Sequence, residues 1–474
     1  MLPAADQDQE LPEPLKRKRE LNQPSDKGRK TRVTKSRTQP NRSVYYTTVR
    51  DQISEALNPT SDREHLEDFL ATFWPSQESV RNDGQDVRAV HAVIAGSVLN
   101  NVEIQQPAEL PKIHQSQLPK EPLNWRDLKN HPFGEHFRAG AIKEITNLES
   151  RNCWRVVKHS YATEQPIPLK WVFTYKVDSS GYLTRCRSRV VVRGDLQPES
   201  SILSTYAATL AARTFRTAMA LVARFDLEMK QFDVVNAFIN AKRDASAALV
   251  RCYLPDGFKQ DGMLVEVDRA LYGLRDSPAL WYGNFTTTLQ TLKLLPCKEE
   301  PCMFLNEQRT VFVVFYVDDI QVLYHASALP EAQLIIDGLN TAYELTGGKE
   351  TEWFLGVRII RDRQAKSVSL VHDSYIQKVA LRFDLIDGSC PSTPLPQTEL
   401  VKNPGRATPE QIKEYQEKVG SVLYTAIMLR ADVAFAASKL SHFLTNPSKE
   451  HLAAINWTIR YLFGTRFLAI VYSY

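Results

Sequence analysis

The sequence predicts an α+β chain built on a small antiparallel sheet with flanking helices, followed by a helical C-terminal region. Three observations lead there. Short runs rich in β-branched and aromatic residues carry isolated acids. Segments with apolar residues at helical spacing lie between them. After Pro391-Ser392-Thr393-Pro394-Leu395-Pro396 the composition turns helical again. At 474 residues the chain has room for two or three domains.

The elements follow in order. Residues 1–120 read as a disordered basic region, with Lys16-Arg17-Lys18-Arg19, Lys27, Arg29, Lys30, Arg32, Lys35, Arg37 and Arg42 crowded into a stretch poor in apolar residues. Its two basic clusters resemble a bipartite nuclear import signal or a nucleic-acid tether; a plain solvated tail is the competing reading. Short helices are expected around Asp62 to Phe73 and Val87 to Leu99. Order begins near Asn124, and Glu135 to Arg151 is amphipathic at helical spacing. Trp154 to Val157, Trp171 to Val177 and Val190 to Val192 read as strands. Ala207 to Arg224, rich in Ala and Leu, reads as a helix. A strand around Asp233 follows, then a turn and helix from Gly273 to Leu292, with Pro278 suited to a first helical turn. Pro330 to Leu345, Gln411 to Leu429, Ala434 to Phe443 and Glu450 to Leu462 complete the helices. The apolar runs are short, so membrane insertion is not expected. The six cysteines are scattered and form no zinc pattern.

The densest signal is Tyr316-Val317-Asp318-Asp319, set between Val311-Phe312-Val313-Val314-Phe315 and Ile320-Gln321-Val322-Leu323. Two adjacent carboxylates inside an apolar run cannot both be buried unpaired. A tight hairpin with the Asp pair at its turn solves this and offers ligands to a hard cation such as Mg²⁺. Taken alone, the tetrapeptide fits an ordinary Asp-containing turn equally well. Asp233, between Phe232 and Val234, adds a third acid on a short strand.

Lys170-Trp171-Val172-Phe173, Arg187-Ser188-Arg189-Val190-Val191-Val192-Arg193-Gly194, Asp233-Val234-Val235-Asn236-Ala237-Phe238, Leu271-Tyr272-Gly273-Leu274, Tyr316-Val317-Asp318-Asp319 and Phe354-Leu355-Gly356 occur in this order. Together they resemble the motif set of copia-type LTR-retrotransposon reverse transcriptases, from about Pro122 onward. Ser204 to Arg213 is similar to the fungal branch. The resemblance implies a right-hand polymerase with fingers and palm over 121–395 and a helical thumb or connection region over 396–474, truncated before ribonuclease H. It implies RNA-directed DNA polymerisation by two-metal nucleotidyl transfer, with Mg²⁺ or a Mn²⁺ substitute held by Asp233, Asp318 and Asp319. RNA template, DNA primer and deoxynucleoside triphosphates are the implied partners. The implied location is intracellular, in a cytoplasmic virus-like particle or the nucleus. The alternative is a truncated or co-opted remnant that binds nucleic acid without catalysis.

By the same resemblance, Lys170, Arg187, Arg189, Phe238, Tyr272 and Gly273 meet the nucleotide. Tyr316, Ser277, Pro278, Phe354, Leu355 and Gly356 meet template or primer. Phe238 matches an aromatic gate against the 2′-hydroxyl; a core Phe is the competing reading. Asp319 assists the metals or serves only as a turn residue. Which fingers Arg clamps the triphosphate stays open. Asp276 stands where the family commonly carries an uncharged residue, and an acid near a template phosphate is expected to weaken binding. Leu429 and Ala431 depart from the family's Thr-Arg-Pro-Asp.

Overall fold

The structure, a computed structural model, describes residues 109–473 apart from 162, 163, 179, 203 and 245. The expectations for 1–108, both short helices and the basic clusters included, lie outside the described residues. Packing begins ahead of Lys120: Leu110, Ile113 and Leu118 lie against the first core.

That core gathers under α1 (Gly134–Ser150), β1 (Trp154–Lys158), β2 (Leu169–Val177) and β3 (Leu183–Val192). Phe137, Ala141, Ile145 and Leu148 form the buried face of α1, at the helical spacing expected from the sequence. β2 and β3 pair as a long antiparallel hairpin, with Thr174 opposite Arg187 and Val172 opposite Arg189. β3 is far longer than the Val190 to Val192 expectation. Its Arg185, Arg187 and Arg189 alternate with buried Cys186, Ser188 and Val190, which is the period of a half-buried strand hidden by its charges.

Next come α2 (Ala212–Phe225) and β4 (Glu228–Val234). The helix starts five residues later than the sequence implies. The Glu300 carboxylate, distant in sequence, accepts the Ala211 N–H at 3.3 Å and the Thr214 hydroxyl at 2.7 Å, and so sets the start. β5 (Val250–Tyr253) and β6 (Met263–Val267) form a three-stranded sheet with β1, in the order β1-β6-β5.

The main sheet is built around a second core. α3 (Ser277–Thr291) and the short β7 (Leu295–Pro296) and β8 (Met303–Leu305) lead to β9 (Val311–Tyr316) and β10 (Asp319–Tyr324). After α4 (Leu329–Ala342), β11 (Leu345–Glu350) closes a six-stranded antiparallel sheet of order β11-β4-β10-β9-β8-β7. β11 carries a bulge between Gly347 and Lys349; a Cβ on Gly347 would lie 2.5 Å from the Gln231 carbonyl oxygen. Every residue of β9 from Val311 to Phe315 is buried, so both faces of this strand are covered.

β12 (Trp353–Phe354), β13 (Val357–Asp362) and β14 (Ser367–Val371) begin a four-stranded sheet. The chain then runs through α5 (Asp373–Arg382), α6 (Pro409–Met428), α7 (Ala434–Ser441) and α8 (Lys449–Gly464), which share a third core. Thr408 and Ser448 cap α6 and α8 with reciprocal capping boxes. Finally β15 (Ala469–Ser473) returns to pair with β14, Val371 opposite Ala469. The third core thus includes α5, ahead of residue 396. No helix among the described residues is long and apolar enough to cross a membrane.

Candidate active site

The acids are positioned by strand register. Asp319 is the first residue of β10; it pairs with Asp233 on β4 and with Tyr316 on β9. The hairpin turn is therefore Val317-Asp318, one residue earlier than an Asp-pair turn. Val317 has φ 57°, while Asp318 does not have positive φ. This is the pattern in which II′ turns ordinarily place Gly, and a β-branched residue there is strained. Two contacts hold it. The Trp281 indole N–H from α3 donates to the Val317 carbonyl at 2.7 Å, and the Val234 N–H donates to the Asp318 carbonyl at 3.0 Å.

The three carboxylates feel one another. Burial pushes the Asp319 carboxyl up to about 6, the Asp318 and Asp233 charges add to it, and a Gln231 side-chain hydrogen bond opposes it. Asp233 is raised first by burial, then by Asp318, and is lowered by Arg187. Its side chain is exposed by surface area, so water screens that repulsion more than at half-buried Asp319. Hard oxygen donors in mutual repulsion fit a divalent cation chemically. Among the described residues, however, no three His, Cys, Asp or Glu side chains are gathered into a closed metal-holding group. The acids share one end of two adjoining strands and a field, not a finished cage.

A basic and aromatic wall adjoins them. The Arg189 guanidinium lies over the Tyr272 ring, 3.8 Å from its centroid. The Phe238 ring meets Tyr272 edge-to-face at 5.0 Å. Phe238 is half-buried on a 3-10 turn, Ala237–Asn240, rather than on the strand. Lys170 is exposed on β2, opposite Val191. Glu144 on α1 accepts the Val190 N–H and lies in the field of Arg189, Arg187 and Arg185; burial raises its carboxyl against them.

Gly273 and Gly194 explain their motifs sterically. Gly273 has φ 93°, and a Cβ there would lie 2.1 Å from the Val192 carbonyl oxygen; one on Gly194 would lie 1.9 Å from that of Gly273. The Val192 N–H donates to the Tyr272 carbonyl at 2.8 Å, welding β3 to this turn. Buried Ser277 donates to the Leu271 carbonyl at 2.6 Å, and Pro278 occupies the first turn of α3.

Asp276 requires a correction. It is buried and lies 3.2 Å from the equally buried Arg243 guanidinium, with Gln197 at hydrogen-bond distance. Its charge is spent inside the fold. Arg430 likewise keeps a buried clamp on Asp432 and Thr465 despite the neighbouring Leu429 and Ala431.

Leu355 and Gly356 form a second two-residue turn, between Phe354 of β12 and Val357 of β13. Leu355 and Gly356 both have positive φ, the I′ pattern. Phe354 is buried against Phe215, and the Tyr424 hydroxyl from α6 donates to the Leu355 carbonyl at 2.9 Å. Tyr316, half-buried, packs with Val317 and Leu355 against the same core, so the two hairpins share it.

Sequence reasoning did not identify Trp281, Gln231, Glu144 or Arg243 as parts of this site. A Trp four residues after Ser277 carries one usable signal, because a buried indole N–H needs an acceptor. The others act through partners remote in sequence.

Residues 151–397 match the family described as reverse transcriptase (RNA-dependent DNA polymerase). The retrovirus-related Pol polyprotein from transposon TNT 1-94 of Nicotiana tabacum is 28% identical over 361 residues, covering 73% of this chain and 27% of that protein. The corresponding polyprotein from transposon RE1 of Arabidopsis thaliana is 26% identical, covering 70% and 22%. The transposon Ty1-DR5 Gag-Pol polyprotein of Saccharomyces cerevisiae is 24% identical, covering 68% and 19%. The chain thus spans about a fifth to a quarter of the length of these relatives. Among solved structures, a foamy viral protease-reverse transcriptase in complex with double-stranded DNA aligns over 88% of this chain and 60% of its own, at 12% identity and a TM-score of 0.37.

Proposed function

The chain belongs to the reverse transcriptase (RNA-dependent DNA polymerase) family, and from that premise we propose that it is a copia-type RNA-directed DNA polymerase whose acid centre is Asp233, Asp318 and Asp319. The observation that carries this is the register of Asp319 on Asp233, with Asp318 on the turn beside them. The reaction is attack of a primer 3′-hydroxyl on the α-phosphate of a deoxynucleoside triphosphate, directed by an RNA template.

Asp233, Asp318 and Asp319 would hold Mg²⁺, or Mn²⁺ in its place, which would supply charge neutralisation at the reacting phosphate. The chain's own residues do the rest. Lys170, Arg187 and Arg189 face the triphosphate from the β2–β3 hairpin, where guanidinium forks suit phosphate oxygens. Phe238 sits beneath the sugar as a steric gate. Gly273, Ser277 and Pro278 shape the template side. Tyr316, Leu355 and Gly356 lie at the primer end, and Phe354, buried against Phe215, anchors the Leu355-Gly356 hairpin from beneath. Fingers and palm occupy 121–395, with a helical thumb or connection region over 396–474. An intracellular setting suits this role, and the basic segment before residue 120 serves as a tether or import signal. Relatives from tobacco, Arabidopsis and yeast together give the fungal branch no preference.

Burial of Asp276 against Arg243 removes one of the arguments for a non-catalytic remnant. The test is primer extension on a homopolymer RNA template with Mg²⁺ or Mn²⁺. Template-dependent DNA synthesis that disappears in Asp318→Asn supports the reading; binding of primer–template without extension under either metal assigns the chain to the remnant.

A further inference from the structure

Phe238 is held unevenly. Its backbone is fixed: Asn236 takes φ 54°, the Ile239 N–H donates to the Asn236 carbonyl, and Ala237 and Ile239 are buried on either side. Asn240 folds its side-chain amide back onto the Asn236 and Ala237 carbonyls, at 3.3 and 3.2 Å. The ring itself is only half-buried, and the aromatic side chain it meets is that of Tyr272. Tyr272 is in turn pinned twice. Its carbonyl receives the Val192 N–H, and its ring is covered by the Arg189 guanidinium, which comes from the same strand as Val192. An aromatic ring braced by a cation and a backbone hydrogen bond loses little freedom when it braces another ring.

We propose, on the polymerase reading above, that Tyr272 is a positioning residue for sugar selection, fixing the Phe238 ring through its own ring and linking that ring to Arg189. Discrimination against a 2′-hydroxyl then depends on how tightly the gate is held as well as on its bulk. The ring of Tyr272 does this work and its hydroxyl does not, since the contacts to Phe238 and Arg189 both involve the ring.

The experiment uses the full chain and single-nucleotide incorporation on an RNA template, comparing thymidine triphosphate with its ribose counterpart. Equilibrium binding of both nucleotides to a chain-terminated primer–template is measured alongside. Tyr272→Met fills the volume without a ring; Tyr272→Leu replaces it if the Met variant does not fold. The expected result is a fall of about tenfold in the deoxy-to-ribo ratio of kcat/KM. Tyr272→Phe should keep the native ratio. Adding Tyr272→Met to Phe238→Ala should cause no further loss of discrimination, because Tyr272 acts through the gate. An unchanged ratio in the ringless variants overturns the proposal, as does a Phe variant as impaired as Met, or additive losses in the double variant. A native chain that neither binds nor incorporates either nucleotide overturns the polymerase reading itself, and this assignment with it.

Discussion

Two hairpins that share one core turn in two residues and are built from opposite chemistry. At Leu355-Gly356 both residues have positive φ, and Gly at the second position lowers the conformational cost. Its brace is a Tyr424 hydroxyl on an exposed carbonyl. At Val317-Asp318 a β-branched residue occupies the left-handed region, and the brace is a fully buried Trp. A turn that its own residues favour needs little help, whereas a turn that they resist must be imposed by packing. The strained turn is the one that carries the acid, consistent with strain gathering at sites where geometry is fixed for chemistry.

The largest expected difference between the hairpins is functional. Asp318→Asn should lower primer extension by at least about 10²–10³-fold, the scale of losing a group that stabilises transition-state charge. It should do so without lowering Tm, because it relieves repulsion. Gly356→Ala should leave extension within an order of magnitude. Equal losses from the two would erase the distinction.

The braces come next. Trp281→Ala should cost about 3–5 kcal/mol by denaturant unfolding, from cavity and lost hydrogen bond together. Tyr424→Phe should cost about 0.5–1.5 kcal/mol, the net worth of one hydrogen bond. Comparable costs would show that the acid turn is not imposed by packing.

Exchanging the turn chemistry is subtler. Gly356→Val should destabilise by about 1–3 kcal/mol, the cost of a strained backbone residue. Val317→Gly should change stability by less than about 1 kcal/mol, since relief of strain offsets the greater freedom of the unfolded chain. A large loss from Val317→Gly would mean that its side-chain packing, not its backbone, dominates.

The smallest effect is a pH dependence of opposite sign at the two places. Asp319 titrates near 6 when folded against an ordinary value of 3.8, so the folded chain holds that proton more tightly. Its contribution is full below about pH 4 and is lost as pH rises to about 6. His372 lies beneath the Gly356 turn, bonded to Thr425 at 3.0 Å and stacked on Tyr375. Burial first, and then the Arg430 charge, lowers it from 6.5 to about 4. Its contribution is full above about pH 6.5 and is lost as pH falls toward 4. In metal-free buffer, Asp319→Asn should remove the loss of Tm on the alkaline side of this window, and His372→Gln the loss on the acid side. Tm profiles that move the same way in both variants would refute the assignment.

Much of this was legible in the sequence. The apolar runs around Asp318 gave the β9–β10 hairpin, and helical spacing placed α1, α4, α6 and α8 within a few residues of their ends. What escaped depends on partners far along the chain. Nothing near Asp276 announces Arg243, so an acid paired in the core reads as an unpaired one. Nothing near Ala207 announces Glu300, so the Ala- and Leu-rich stretch reads as a longer helix than α2. The alternation of β3 is masked because its outward residues are arginines, and only three valines stand out. The turn falls at Val317-Asp318, one residue before the Asp pair, although turn statistics exclude Val from the left-handed region, because the contacts from Trp281 and the Val234 N–H overrule them. The acids that β4 and β10 bring into register were therefore readable, and the means of holding them were not.

The pairing of Val371 with Ala469 has a mechanical consequence. It closes a loop on the order of a hundred residues containing all of the third core, a closure whose entropic cost grows only logarithmically with length. Those helices are thus a handle fastened at both ends to one sheet edge, not a pendant joined by a single strap. Under a pull on the C-terminal strand, β15 would unzip from β14 before load reached the helices, so the last strand works as a clasp for everything it encloses.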